Sequence, residues 1–489
     1  NLMVPGGFPL IGGTVTLATG VTLTGFDMST GTANGVVGAN ITGVSVTLRD
    51  LTATTGTAVS LTGAGNSGTY SFRSVSANGG ANGILLQNNT GSFTVTGNSA
   101  GNCGGVVVNN ATAPTAPALA DCTGGTIQNK AAGIRLDNVQ NVSLTRIRIT
   151  GTSANNFGIY GTSVNGFTLA RSVIDGSIGA TTGGQDAPLV FGKSNPGGLN
   201  GLSGVNSITD STISGGIHHN MEFYGQSGDG SLAITRSVIR ANSAATGANG
   251  MLWYAEGTAN ARVLVENSQF NDNRSVALDI ATTDNAMVDF TLQNSRWTRI
   301  TQGTAGVAIS NAANSSMTAD INSNIAAGFD GSAVFAGQMS TPPTALSKLH
   351  VSIRDNILTA PVSAYGHTIL VLLSSATGAV APSRVLVSNN DLLQDSTTGG
   401  TRGIVIDTPN NNTNPQFDAT VVNNTVSLTN PNFAVAAIGI SARQLSSACM
   451  NISGNNVSVA ALGVAAILAQ QDSPATAYLY GTGADAAAV

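Results

Sequence analysis

A chain of 489 residues with only 9% charged side chains, where ordinary globular domains carry roughly 25%, and with 61 glycines lacks the surface of an ordinary enzyme. Its net charge of -5 leaves no basic field to hold phosphates, which argues against nucleic acid as a partner. No apolar stretch approaches the roughly 18 residues of a spanning helix; the runs Ile369 to Leu373 and Val464 to Ala469 are too short, so no direct membrane span is expected.

In chain order, residues 1–40 read as lead-in coils, 41–460 as a run of repeats, and 461–489 as an end coil or a linker to a further segment. The chain begins at Asn1 without a basic-then-apolar leader, as expected of an exported protein whose signal has been removed or of a piece cut from a longer one. In each repeat two apolar residues flank one position, Ser or Asn marks a bend, and another apolar residue follows. Phe167, Leu169, Ser172 and Ile174 form one copy; Leu232, Ile234, Ser237 and Ile239 form another. Val263, Val265, Ser268 and Phe270, then Phe290, Leu292, Ser295 and Trp297, continue the series, and later copies place Asn356, Asn390, Asn424 and Asn455 at the bend. A second signature alternates with the first, a small residue leading an apolar strand, as in Gly133 to Leu136, Ala277 to Ile280, Gly306 to Ile309 and Gly403 to Ile406.

Both signatures have period two and are bounded by Gly, Asn, Ser and Thr, with no helical run long enough to cover a sheet. Length alone argues for about three domains. The unbroken repeat instead predicts a single elongated all-β domain, a right-handed parallel β-helix (β-solenoid) of roughly fifteen coils stacked at about 4.8 Å. Asn or Ser at the bend satisfies backbone groups in the corner, and stacked Asn side chains hydrogen-bond from coil to coil. Asn389, Asn423 and Gly454, just before the bend, are residue types that tolerate left-handed φ. The same corner chemistry, rather than glycosylation, accounts for Asn-x-Ser/Thr matches such as Asn141 and Asn451.

Cys103 and Cys122 bracket a Pro/Ala-rich excursion. A disulfide between them, preferred over two buried free thiols, stabilises by about 3 kcal/mol, while an unpaired third cysteine prevents a strong argument about the redox compartment. Cys449, beside Met450, reads as a lone core thiol. Insertions at 109–123, 336–347, 374–384 and 408–417 are expected to follow the second signature and leave from one side, which in solenoids is often a binding face. The excursion at 181–201 leaves from a different corner.

The run Gly124 to Asn129, then Gly133 to Leu136, Asn141 to Leu144 and Gly161 to Phe167, resembles the β-strand-repeat, right-handed parallel β-helix segments of large bacterial surface proteins, adhesin-like or autotransporter-passenger-like. The likeness covers roughly residues 40–460. It implies an extracellular or cell-surface location and a structural or adhesive role. Partners would be other surface proteins or copies of the chain itself, in a fibre, sheath or surface layer. Adhesion rather than catalysis is the favoured reading.

Secreted β-helices also include polysaccharide lyases, hydrolases and phage-type depolymerases, so the acids bear on function. Glutamate occurs at Glu222, Glu256 and Glu266. Aligning Ile134, Ile217, Met251 and Leu278 as inward residues of one strand puts His218, Glu222, Tyr254, Glu256 and Asp279 outward on consecutive coils, with Tyr224 nearby. Glu222, Glu256 and Asp279 are the candidate catalytic acids, and a working pair stands about 5–10 Å apart. His218, Tyr224 and Tyr254 are the candidate glycan-binding residues, since an aromatic face beside acids suits a sugar. The plainer alternative is an ordinary stretch of exposed strand. His219 and Trp253 fall inward in this alignment, and His350 and His367 stand alone. No His/Cys/Asp spacing resembles a transition-metal site. Asp284, Asp330 and Asp395 lie in loops without the dense Asp/Gly pattern of calcium-binding repeats, so neither metal nor cofactor is expected. The adjacent Asp pair, His-Gly and Arg-x-Lys of polygalacturonase-like sequences are all missing.

Overall fold

Three apolar ladders, rather than two, build each coil, because the Ser or Asn bend splits the first signature into two short strands. The computed structural model describes residues 8–98, 101–151, 157–179, 187–193, 198–300, 305–329, 331–339, 347–359, 367–374, 382–394, 402–409, 415–429, 436–443, 446–460, 465–471 and 475–480. They fall into two compact units, Asn1–Val108 with Thr112–Ala248, and Asn109–Ala111 with Asn249–Val489. Among the described residues there is no α-helix, and none long and apolar enough to cross a membrane.

In the first unit Ile134 pairs in parallel with Ile159, then Leu189 and Met221. The second ladder runs through Phe93, Val142 and Phe167, and the third through Ile127, Ile149, Ile174, Ile213 and Ile239. In the second unit Leu278, Val307, Val334, Ile369, Ile404 and Ile438 form one continuous buried stack. Phe270, Trp297, Ala326, Leu358, Leu392 and Val426 form another. This parallel, coil-upon-coil pairing is a β-solenoid. Alternation follows directly from the pleat, since successive side chains point to opposite faces and only one face is dry. Aromatic rings stack along the interior, with Phe191 centred 4.8 Å from Phe167 and 6.0 Å from Phe223.

The bends carry the predicted polar ladder. In the second unit the Ser268 amide donates to Ser295 Oγ (3.0 Å), and the Ser295 amide donates to Asn324 Oδ1 (2.8 Å). From there Asn324, Asn356, Asn390 and Asn424 each donate backbone N–H and Nδ2 to Oδ1 of the next asparagine, ending at Asn455. In the first unit the amides of Ser172 and Ser211 donate to Oγ of Ser211 and Ser237. The residue before each bend is left-handed, at φ 54° for Asn389, 57° for Asn423 and 65° for Gly454. Asparagine tolerates this conformation through its short polar side chain and glycine through its missing Cβ.

Two expectations need correction. The insertion at 109–123 follows the second-ladder strand Ser92–Val95 and precedes Thr126–Gln128, so it leaves from a different corner than the other three. Those three do connect the same two ladders, between Ser332–Met339 and Lys348–Arg354, Ile369–Leu373 and Ser383–Ser388, and Ile404–Asp407 and Gln416–Val422. Their middle portions, 340–346, 375–381 and 410–414, lie outside the described residues, as do Asp330, Asp395, residues 1–7 and much of 461–489. Cys449 is not a core thiol: it sits half-buried on the outward face, between buried Ala448 and Met450.

Cys103 and Cys122 are disulfide-bonded, and the bridge is buried against Val173. The adjoining Gly104 carbonyl accepts from Thr212 Oγ1 (2.5 Å), and a Cβ at this position would collide with the Asp210 carbonyl oxygen. Only glycine lets the excursion lie this close to the coil.

Candidate functional site

In the first unit the chain leaves the strand Thr212–Ser214, turns through residues 215–220 and enters the strand Met221–Thr235. Residues 217, 218 and 220 bend rather than extend, so the strict alternation that would send His218 and His219 to opposite faces does not apply. Their rings meet edge to face, with centroids 4.1 Å apart. Ligand atoms of His218, His219 and Glu222 all lie within 4.8 Å of one another.

Both sides of this corner are pinned. The Gly216 amide donates to Asn220 Oδ1 (2.9 Å), and Asn220 Nδ2 donates to the Arg240 carbonyl (3.1 Å). The loop after Arg240 folds over the corner: the Ala248 amide and Asn242 Nδ2 both donate to the His218 carbonyl, and Thr246 Oγ1 donates to that of Ile217 (2.8 Å). Lys193 and Leu199 form an antiparallel bridge, and the Gly201 amide donates to the Tyr224 carbonyl (2.9 Å). Glu222 is fully buried although it points away from the coil interior, and Tyr224, nearly as buried, donates its hydroxyl to Glu222 Oε2 (3.1 Å). Burial, reinforced by His218, pushes the His219 imidazole down to about 3. It is neutral at physiological pH.

The sequence alignment was four residues out here. Met221, not Ile217, continues the ladder of Ile134, Ile159 and Leu189, while Ile217 sits in the corner and donates its amide to the Ile178 carbonyl. Glu222 and Tyr224 keep their predicted outward direction because the slip is even. They line no exposed strand, however, because both side chains are buried. His219 is buried as expected, but at the corner beside Glu222 rather than in the apolar interior.

Tyr254, Glu256 and Asp279 belong to the second unit. Asp279 pairs with Leu252, so Glu256 lies four positions further along the neighbouring strand, about 14 Å away at the usual rise and strand spacing. That exceeds the separation of a glycosidase pair. Burial pushes the Asp279 carboxyl up to about 6, against the opposing effect of Asn249 Nδ2, which donates to it (2.9 Å). Tyr254 is raised by burial first and then by the charges of Glu256 and Asp284. Glu256 itself is buried. Trp253 points inward, as expected.

A shallow groove on the outward face of the second unit is lined by two registered rows: Thr318, His350, Arg384 and Asp418, and beside them Asp320, Ser352, Leu386 and Thr420. Asp320 is already held by a bidentate pair with Arg354 (2.8 and 3.2 Å). Asp418 lies three coils along and two residues back from it, about 16 Å away at about 4.8 Å per coil and about 3.3 Å per residue, again too far for paired acid and base. His367 is half-buried, accepts the Arg402 amide at Nδ1 (3.1 Å) and is pushed down to about 4 by burial and by Arg402.

The His218–His219–Glu222 corner was the cluster that sequence reasoning missed. Its one signal was the adjacent His-His in a segment whose Gly215-Gly216 start favours a bend over a strand. Comparison of the chain with protein-family models, with curated proteins and with solved structures gave no match.

Proposed function

We propose that this protein is an extracellular structural β-solenoid of the bacterial surface-protein type, a spacer that carries adhesive loops. The observation behind this reading is the ladder from Ser268 to Asn455, in which seven successive bends are joined through their side chains. Such a ladder fixes the coil stack and contributes nothing to a catalytic centre. Three insertions connecting the same pair of ladders fit loop display, because the stack brings them to one corner. The buried Cys103–Cys122 disulfide fits an oxidising, extracellular setting. Low charge and abundant Asn, Ser and Thr fit a surface built for regular contact with other surface proteins, with glycans, or with copies of the chain.

The competing reading is a polysaccharide-cleaving enzyme using Glu222, Glu256 or Asp279. Incubation with a panel of bacterial and plant polysaccharides, followed by reducing-end and unsaturated-product detection, separates the two. The structural reading expects no turnover. Turnover that disappears in Glu222→Gln or Asp279→Asn would overturn it.

A further inference from the structure

The pinned corner at residues 216–222 has the donor set and the enclosure of a metal centre. We propose that His218, His219 and Glu222 bind a divalent transition-metal ion of the zinc type, and that the ion clamps this corner of the coil to the strand that follows. This goes beyond the scaffold reading and does not depend on it.

Two imidazoles and one carboxylate select zinc and its first-row neighbours over magnesium or calcium, which favour all-oxygen shells. Neighbouring ligands around tetrahedral zinc stand about 3.3 Å apart when metal–nitrogen bonds are about 2.0 Å. The atoms here lie within 4.8 Å of one another, so small side-chain rotations close the shell. His218, half-buried, is the member with room to turn. The other two are held in place: Glu222 is fully buried with Tyr224 on one of its oxygens, and His219 is buried behind the backbone that Asn220 ties to Gly216. Tyr224 is a positioning residue, orienting the carboxylate as hydrogen-bonding partners of metal ligands do. Three protein ligands leave a fourth position, reached from the half-buried His218 side, for water or an outside group.

The site also answers a structural need. Residues 215–220 break the run of paired strands, and the corner is held there by a few hydrogen bonds from Asn220 and from the 242–248 loop. A cross-link between the bend and Glu222 on the following strand fixes the segment at the point where ladder pairing is interrupted.

The test uses the whole chain, stripped with a chelator and dialysed, then titrated with Zn²⁺ by calorimetry and with Co²⁺ by visible absorption. Expected is a single saturable site, tetrahedral-type Co²⁺ bands and a rise in melting temperature with Zn²⁺. His218→Ala, at a half-buried position the fold tolerates, and the isosteric Glu222→Gln abolish the site, Tyr224→Phe weakens it about tenfold, and His350→Ala leaves it intact. Circular dichroism confirms that each variant is folded. The proposal is overturned if the folded wild-type chain shows no saturable Zn²⁺ or Co²⁺ site. It is equally overturned if folded His218→Ala binds as tightly as wild type, or if His350→Ala loses binding to the same extent as His218→Ala.

Discussion

Replacing Asn390 by Ala cuts the bend ladder at a buried point in its middle. Asn390 Oδ1 accepts from the Asn356 amide (3.1 Å) and from Asn356 Nδ2 (2.9 Å), while its own Nδ2 donates to the Ile353 carbonyl (2.8 Å) and to Asn424 Oδ1 (2.9 Å). Asn424 Oδ1 still receives the residue-390 amide after truncation, and one Asn356 Nδ2 hydrogen stays on the Ile321 carbonyl, so the two donor hydrogens left orphaned are the Asn356 amide and the other Nδ2 hydrogen, in a buried site where the Ile353 carbonyl also loses its side-chain donor. At about 1–3 kcal/mol for each orphaned buried group, the variant loses about 2–6 kcal/mol. Asn455 makes the same three kinds of bond but is half-buried, so water replaces them and Asn455→Ala costs only about 1 kcal/mol, as an ordinary hydrogen bond does. Urea unfolding followed by circular dichroism, compared at a common slope, measures both. Asn390→Asp sharpens the contrast, since a carboxylate faces the oxygen of Asn424 and becomes less destabilising as acid protonates it. Equal losses for Asn390→Ala and Asn455→Ala would refute the idea that burial of the ladder, rather than mere hydrogen-bond number, holds the bends.

Asp279 supplies a pH test: its folded-state value of about 6 lies above the ordinary 3.8, so the folded chain holds the extra proton and wild-type stability falls as pH rises between those values. Asp279→Asn removes that slope, and its stability relative to wild type improves by up to roughly 3 kcal/mol between pH 4 and 7; a constant difference in urea midpoint across this range would contradict it. Reducing Cys103–Cys122, which closes a loop of sequence separation 19, lowers stability by up to about 3 kcal/mol in thermal melts, while the double Ser variant does not respond to reductant. Phe191→Ala removes the ring between Phe167 and Phe223 and costs about 3–5 kcal/mol by urea unfolding.

The solenoid was legible because its determinants are local and repeated. Period-two apolar pairs set the ladders, and residue types such as Asn423 and Gly454 announce the left-handed step before each bend. The splitting of the first signature into two ladders was implicit in its Ser or Asn. What the repeat could not report was the covering of one coil by a distant segment. Glu222 has the sequence of an outward strand residue, yet it is fully buried beside Tyr224. Register at Met221 failed for a related reason: the Gly215–Asn220 bend displaces the strand start by four residues, an even number that leaves the alternation of polar and apolar residues looking correct. Cys449 shows the limit in miniature, since one position along a strand separates the core from the outer face.

The central claim, a scaffold displayed outside the cell, is tested most directly by labelling intact cells that make the protein with an antibody raised against it, before and after permeabilisation. The account predicts full labelling of intact cells, or its recovery from the medium, with no increase on permeabilisation. Labelling that appears only after the cells are opened would contradict it.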